Sequence, residues 1–131
     1  MYRAREKQMS IYDYLPPYHG ELCNANRWVR LADAIDWDCF EKAYSALFAP
    51  GGKVALPARV ALGCRIIQLH YAASDREVVA LVQESPYLQY FLGFESFTDA
   101  VPFSSRTVAR FRARIPDKAV RPAVRLLRSF Q

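Results

Sequence analysis

Residues 103 to 115 read FSSRTVARFRARI and place Arg106, Arg110, Arg112 and Arg114 within nine positions. A guanidinium is a planar, permanent cation whose N–H fork matches a phosphate or the O6/N7 edge of guanine. Ser104 or Ser105 can cap a helix here, and with Thr107 they supply hydroxyls and amides where a helix N-terminus attracts phosphate. On a 100° wheel Val108, Phe111 and Ile115 form a narrow apolar stripe. Arg106, Arg110 and Arg114 lie opposite with Ala109 and Ala113, and Arg112 falls on the other flank. Two readings follow from the residues alone: a solvated basic face, or a helix laid against DNA. No acid occurs between Asp99 and Asp117 to form the i, i+4 pairs of an ordinary solvated face. Small residues between the arginines would let the backbone sink into a groove while the long side chains reach bases and phosphates.

Other chemistry is thinly represented. Cys23, Cys39 and Cys64 are odd in number and widely spaced, with no CxxC, so neither a disulfide framework nor a zinc site is indicated. His19 and Cys23 form an isolated His–x3–Cys, and His70 has no His, Asp or Cys at catalytic spacing; we read both as structural. No metal ligand is therefore assigned. Residues 104–131 hold eight Lys/Arg against Asp117, a local charge of +7, whereas residues 1–103 sum to −2. Such asymmetry fits a polyanionic partner, nucleic acid or an anionic membrane. Three large apolar residues opposite the arginines are few for a membrane-surface helix, which favours nucleic acid.

The elements that would carry these residues are helical. At 131 residues and 52% hydrophobic the chain can bury a core, and no apolar run reaches the length of a membrane span. The N-terminal residues lack the apolar segment of a secretory signal. After an irregular opening with Pro16, Pro17 and Gly20, Asn26 caps NRWVRLADAI, with Trp28, Leu31 and Ile35 on one side. Asp36 opens WDCFEKAYSALF, where Phe40, Tyr44, Leu47 and Phe48 share a face. Pro57 starts PARVALGCRIIQLHY, which is apolar on two sides: Val60, Cys64, Ile67 and Tyr71 on one, Leu62, Ile66 and Leu69 on the other. A helix of that kind sits in the middle of a core, and Gly63 would admit a close neighbour. Ser74 and Glu77 form a capping box before DREVVALVQE, with Val78, Val79, Leu81 and Val82 inward. Ser85 and Pro86 open PYLQYFLG, a short aromatic helix stopped by Gly93. In the last residues Pro122 is expected to break the helical pattern.

Read together, SDREVVALVQES and SSRTVARFRARI match the supporting and recognition helices of a helix-turn-helix, with 18 residues and a short helix between them in place of a tight turn. The motifs NRWV at 26–29, ALG at 61–63, Ser74-Asp75, PYLQYFLG at 86–93 and FR.R at 111–114 occur in the order found in one family. Over residues 1–115 the chain resembles the N-terminal domain of insertion-sequence-five-type DDE transposases.

That resemblance implies an all-α domain of about five to seven helices, helix-turn-helix-like with an inserted short helix. It implies binding of double-stranded DNA at transposon-end inverted repeats in a bacterial, nucleoid-associated cytoplasmic setting, with possible homo-oligomers, no membrane and no small-molecule substrate. The family's three metal-binding carboxylates lie in a further, ribonuclease-H-like domain, so Mg²⁺ is expected there and no cofactor in this chain. Residues 1–115 are then expected to form the helical domain and 116–131 a basic tail leading toward a catalytic domain, with the chain either a truncated transposase reading frame or a domain fragment. We assign no catalytic residue and expect no enzymatic activity. Arg106, Arg110 and Arg114 are the candidates for groove contacts, and Ser104, Ser105, Thr107 and Arg112 for phosphate. The competing reading is a protein-interaction module that dimerises through Tyr87, Tyr90, Phe91, Phe94 and Phe97, rings that core packing would otherwise absorb.

Overall fold

Each helix begins after a short polar side chain that accepts from a first-turn amide, or after a proline whose fixed φ suits the entry. In the computed structural model, which describes residues 22–44 and 56–130, Asn26 Oδ1 accepts from Trp28 N at 2.8 Å and starts α1, Arg27–Ala34. Asp36 Oδ1 accepts from Cys39 N ahead of α2, Trp37–Tyr44; Leu47 and Phe48, expected on its apolar face, lie outside the described residues. Pro57 precedes α3, Ala58–Tyr71, as its cap rather than its first residue. The Ser74–Glu77 capping box opens α4, Asp75–Glu84, and Ser85 with Pro86 opens α5, Pro86–Phe91. Ser104 caps α6, Ser105–Arg114, and Pro116 precedes α7, Asp117–Ser129. The described residues thus form seven helices and no strand.

α3 is the axis of the assembly. Val60, Ala61, Leu62, Cys64, Ile66 and Ile67 are all essentially inaccessible, so both apolar faces are covered, while Leu69 is half-buried and Tyr71 is exposed at the helix end. α7, α6, α4 and α2 contact α3, and α1 bridges α5 and α7. Gly63 is where the close approach occurs: a Cβ there would stand 2.5 Å from Leu92 Cδ2. In α4 only Val78 and Val82 are buried, with Val79 and Leu81 half-buried. α4 and α6 pack directly against each other, and α5, which lies between them in the chain, packs on α1 and α4. Gln89 of α5 is fully buried and donates to Val82 O (2.8 Å) and Thr98 O while accepting from Thr98 N, which moors the loop leading to α6.

One expectation is corrected. Pro122 does not end helicity: α7 runs 13 residues with the proline inside it. An interior proline costs about 3 kcal/mol. Burying Val120, Val124 and Leu127 against the core returns roughly 1.5–3 kcal/mol each, which outweighs that loss. Pro122 itself faces solvent, where water can satisfy the carbonyl it leaves unpaired. The aromatic segment, in turn, mostly enters the core. Phe91 and Phe94 are buried, Tyr87 and Tyr90 are half-buried, and Phe97 is the ring of that group left strongly exposed.

Candidate nucleic-acid interface

The apolar stripe of the arginine-rich segment faces inward as its spacing requires. Val108, Phe111 and Ile115 are buried, and they seat α6 against α3 and α4. Because the buried stripe is narrow, the opposite side of the helix is left to solvent. Arg106, Arg110 and Arg114, at i, i+4 and i+8, are all exposed there, and none pairs with an acid among the described residues. Ser104 is exposed, and its Oγ accepts from Thr107 N at 3.4 Å; Ser105 and Thr107 are half-buried on the first turn. The seven residues expected at the interface therefore lie on one helix and its cap, all on its exposed or N-terminal part.

Arg112 is placed differently. Its guanidinium reaches across to α4 and donates Nε to Asp75 Oδ1 (3.1 Å) and NH2 to Asp75 Oδ2 (3.0 Å), a two-point ion pair. The hydrogen bond from Arg112, followed by that from Gln68, holds the Asp75 carboxyl below its usual range, and Asp75 raises the guanidinium in return. The Arg112 side chain is 55% exposed and Asp75 22%, so water screens the pair and its worth lies in orientation more than in energy. It spans from α6 to α4 on the solvent side of their contact.

Other cations serve the scaffold. Arg65, a residue missed by the pattern of two apolar faces, is buried within α3. It donates to Ile115 O at 2.9 Å, to Gln68 Oε1 at 2.7 Å and to Asp117 Oδ1. Gln68 passes the chain on to Asp75 at 2.8 Å. A continuous polar thread thus runs Asp117–Arg65–Gln68–Asp75–Arg112 and ties α7, α3, α4 and α6 together. The signal in the sequence was a single arginine flanked on both sides by residues due to be buried, GCRII. Arg59 similarly donates to Phe91 O (3.0 Å) and Tyr90 O (3.1 Å), closing the end of α5, with its guanidinium 4.6 Å from the Trp37 ring. Burial lowers the Arg59 pKa against the raising influence of Tyr90, Glu41 and Asp33.

Of the remaining candidates for chemistry, Cys64 and His70 have structural surroundings, Cys23 and Cys39 are exposed, and His19 lies outside the described residues. Burial drives the Cys64 thiol upward, away from reactivity. His70 lies edge-on to Trp28, with centroids 5.7 Å apart. Desolvation, then Arg27 and Arg128, lowers its pKa. No group of three His, Cys, Asp or Glu among the described residues could hold a metal ion, and no described helix is long and apolar enough to cross a membrane.

Comparison with known proteins gives two matches. Residues 11–114 match the family described as Transposase domain (DUF772). A protein of Rhizobium meliloti, "Uncharacterized protein ORF8 in nfe locus", is 37% identical over 87 residues, 66% of this chain. That stretch spans 42% of the relative's own length. No solved structure matches.

Proposed function

The chain belongs to the DUF772 transposase-domain family, and from that premise we propose that it is the non-catalytic, DNA-binding part of a transposase, reading transposon-end inverted repeats through α6. One observation carries the reading: Arg106, Arg110 and Arg114 have no acidic partner among the described residues and stand on the exposed side of a helix whose opposite side is anchored in the core. A helix about 15 Å long with its cations on one side fits the major groove, where arginines meet guanine edges and flanking phosphates. Ser104, Ser105 and Thr107 at the N-terminal turn serve phosphate. Arg112 serves recognition by orienting α6 through Asp75. The packing of α4 on α6 supports a helix-turn-helix-like pair with α5 inserted. Strand cleavage and joining, with its Mg²⁺, belongs in this reading to carboxylates of a separate catalytic domain. Five of the described acids have structural work: Asp36 and Glu77 cap helices, Glu41 accepts from Arg59 N, and Asp75 and Asp117 hold arginines.

The experiment is fluorescence anisotropy on a duplex carrying the inverted repeat that flanks the chain's own gene, titrated at several salt concentrations. Arg110→Ala should weaken binding with an unchanged melting temperature. A lost phosphate contact reduces the salt slope by about one unit, and a lost guanine contact costs about 1–3 kcal/mol on the cognate site alone. Unchanged affinity and slope in Arg110→Ala would remove α6 as the reader.

A further inference from the structure

α7 lies beyond the segment matched to the transposase-domain family, which ends at residue 114. Its buried side, Val120, Val124 and Leu127, is held on α3, and α1 flanks it on the Phe130 side through Arg30 stacked 4.3 Å from that ring. The opposite flank carries Lys118, Arg121, Arg125 and Arg128 at successive spacings of three, four and three residues, one continuous stripe on a helical wheel. Lys118, Arg121 and Arg125 are exposed and form no ion pair among the described residues; Arg128 lies within electrostatic reach of His70. The acid of this helix, Asp117, is already committed to Arg65. Like charges three and four residues apart destabilise a helix, so the stripe is a cost that an external polyanion would remove.

α7 is also coupled to α6. Only Ile115 and Pro116 separate the two helices, and Ile115 is fully buried. The buried Arg65 guanidinium grips both sides of this junction, through Ile115 O and Asp117 Oδ1. The two basic stripes are thus parts of one rigid corner. By contrast, Arg59, Arg65 and Arg112 are each satisfied by protein acceptors. Among the described residues from 104 onward, the cations without an ion pair are therefore gathered on the exposed flanks of two consecutive helices.

We propose that the Lys118–Arg121–Arg125 flank of α7 is a second contact surface for the phosphate backbone of double-stranded DNA, independent of sequence and rigidly joined to α6. It rests on the DNA-binding reading of α6 and extends it to a helix that the family match does not cover. From Lys118 to Arg128 the stripe is about 15 Å long, enough to follow roughly four nucleotides of one strand. Its partner is the backbone because an ammonium and two guanidinium forks spaced along the exposed flank of a helix meet phosphates without needing a base edge. An anionic bilayer is the poorer partner, since the apolar side of α7 is already spent on α3.

The test compares the unaltered chain, Arg110→Ala, and the triple variant Lys118→Gln/Arg121→Gln/Arg125→Gln. Each is titrated with inverted-repeat duplex, unrelated duplex and phosphatidylserine vesicles over a range of salt. The triple variant should melt normally, and its log–log salt slope should shrink by about 2.7 on both duplexes, at 0.9 per phosphate released. Arg121→Lys/Arg125→Lys should keep the original slope. An unchanged slope in the triple variant would overturn the α7 surface, as would binding of the chain to vesicles but not to duplex. Loss of slope in both the Gln and the Lys variants would also overturn it, because charge would then not be the cause. If the triple variant loses slope while Arg110→Ala does not, α7 stands and the α6 reading falls. If the unaltered chain binds no duplex, both fall.

Discussion

Replacing Arg65 by Ala should be among the most damaging single changes outside the apolar core. The side chain is 3% exposed and its guanidinium serves three acceptors: Ile115 O, Gln68 Oε1 and Asp117 Oδ1. Truncation leaves a buried carbonyl and a buried carboxamide without their donor, each worth about 1–3 kcal/mol, and opens a cavity in α3. The expected loss is about 3–5 kcal/mol, as for a buried charge pair broken from one side. Asp117→Asn is the informative partner. The Asp117 side chain is 52% exposed, so water can replace much of what it gives, and Arg65 keeps its two neutral acceptors. That variant should lose only about 1–2 kcal/mol. Urea denaturation followed by circular dichroism measures both, and the melting point should follow, falling by a few degrees per kcal/mol. Equal losses from the two variants would show that the ion pair, and not the buried network, is the stabilising feature. A loss below about 1 kcal/mol in Arg65→Ala would refute the claim that this side chain fastens the α6–α7 corner.

Ile67→Asp should leave no folded protein, because it strands a carboxylate at a position with no accessible surface on the central helix; a normally melting variant would displace α3 from the centre. Phe111→Ala should cost about 3–5 kcal/mol while leaving the exposed arginines untouched, so its DNA affinity, measured well below its melting point, should hold. His70, whose pKa is lowered in the fold, makes stability depend on pH in one direction. Its contribution is complete above the ordinary value of 6.5 and is lost as pH falls through the folded value, since the unfolded chain then binds the proton more readily. Melting scans from pH 8 to pH 5 should show that decline, and His70→Phe should remove part of it; a His70→Phe variant with an unaltered pH profile would contradict it.

Helix starts were legible because they are local: Asn26, Asp36, Ser74 with Glu77, Ser85 and Ser104 each cap through an amide two or three residues on. The two-sided burial of α3 was equally readable, as was the inward stripe of α6. What could not be read depends on residues far apart in the chain. Asp75 and Arg112 are 37 positions apart, and Arg65 and Asp117 are 52 apart. Whether an arginine meets solvent or a carboxylate is decided by tertiary packing, so the spacing could set Arg112 on the other flank of the helix but could not name Asp75 as its partner. Pro122 misled for a related reason: its local penalty is visible in the sequence, whereas the burial of Val120, Val124 and Leu127 that exceeds it is not.

If the cations of α6, joined by those of α7, meet DNA, the rest of the domain should stay clear of it. Amide chemical shifts of the isotopically labelled chain, followed by NMR as inverted-repeat duplex is added at moderate salt, address that claim residue by residue. Shifts should concentrate at residues 104–114 on the exposed side of α6 and along 117–128 of α7, with α5 and the core of α3 nearly still. Perturbations centred on α1, α2 or α5 with α6 silent, or none at concentrations where anisotropy reports binding, would contradict it.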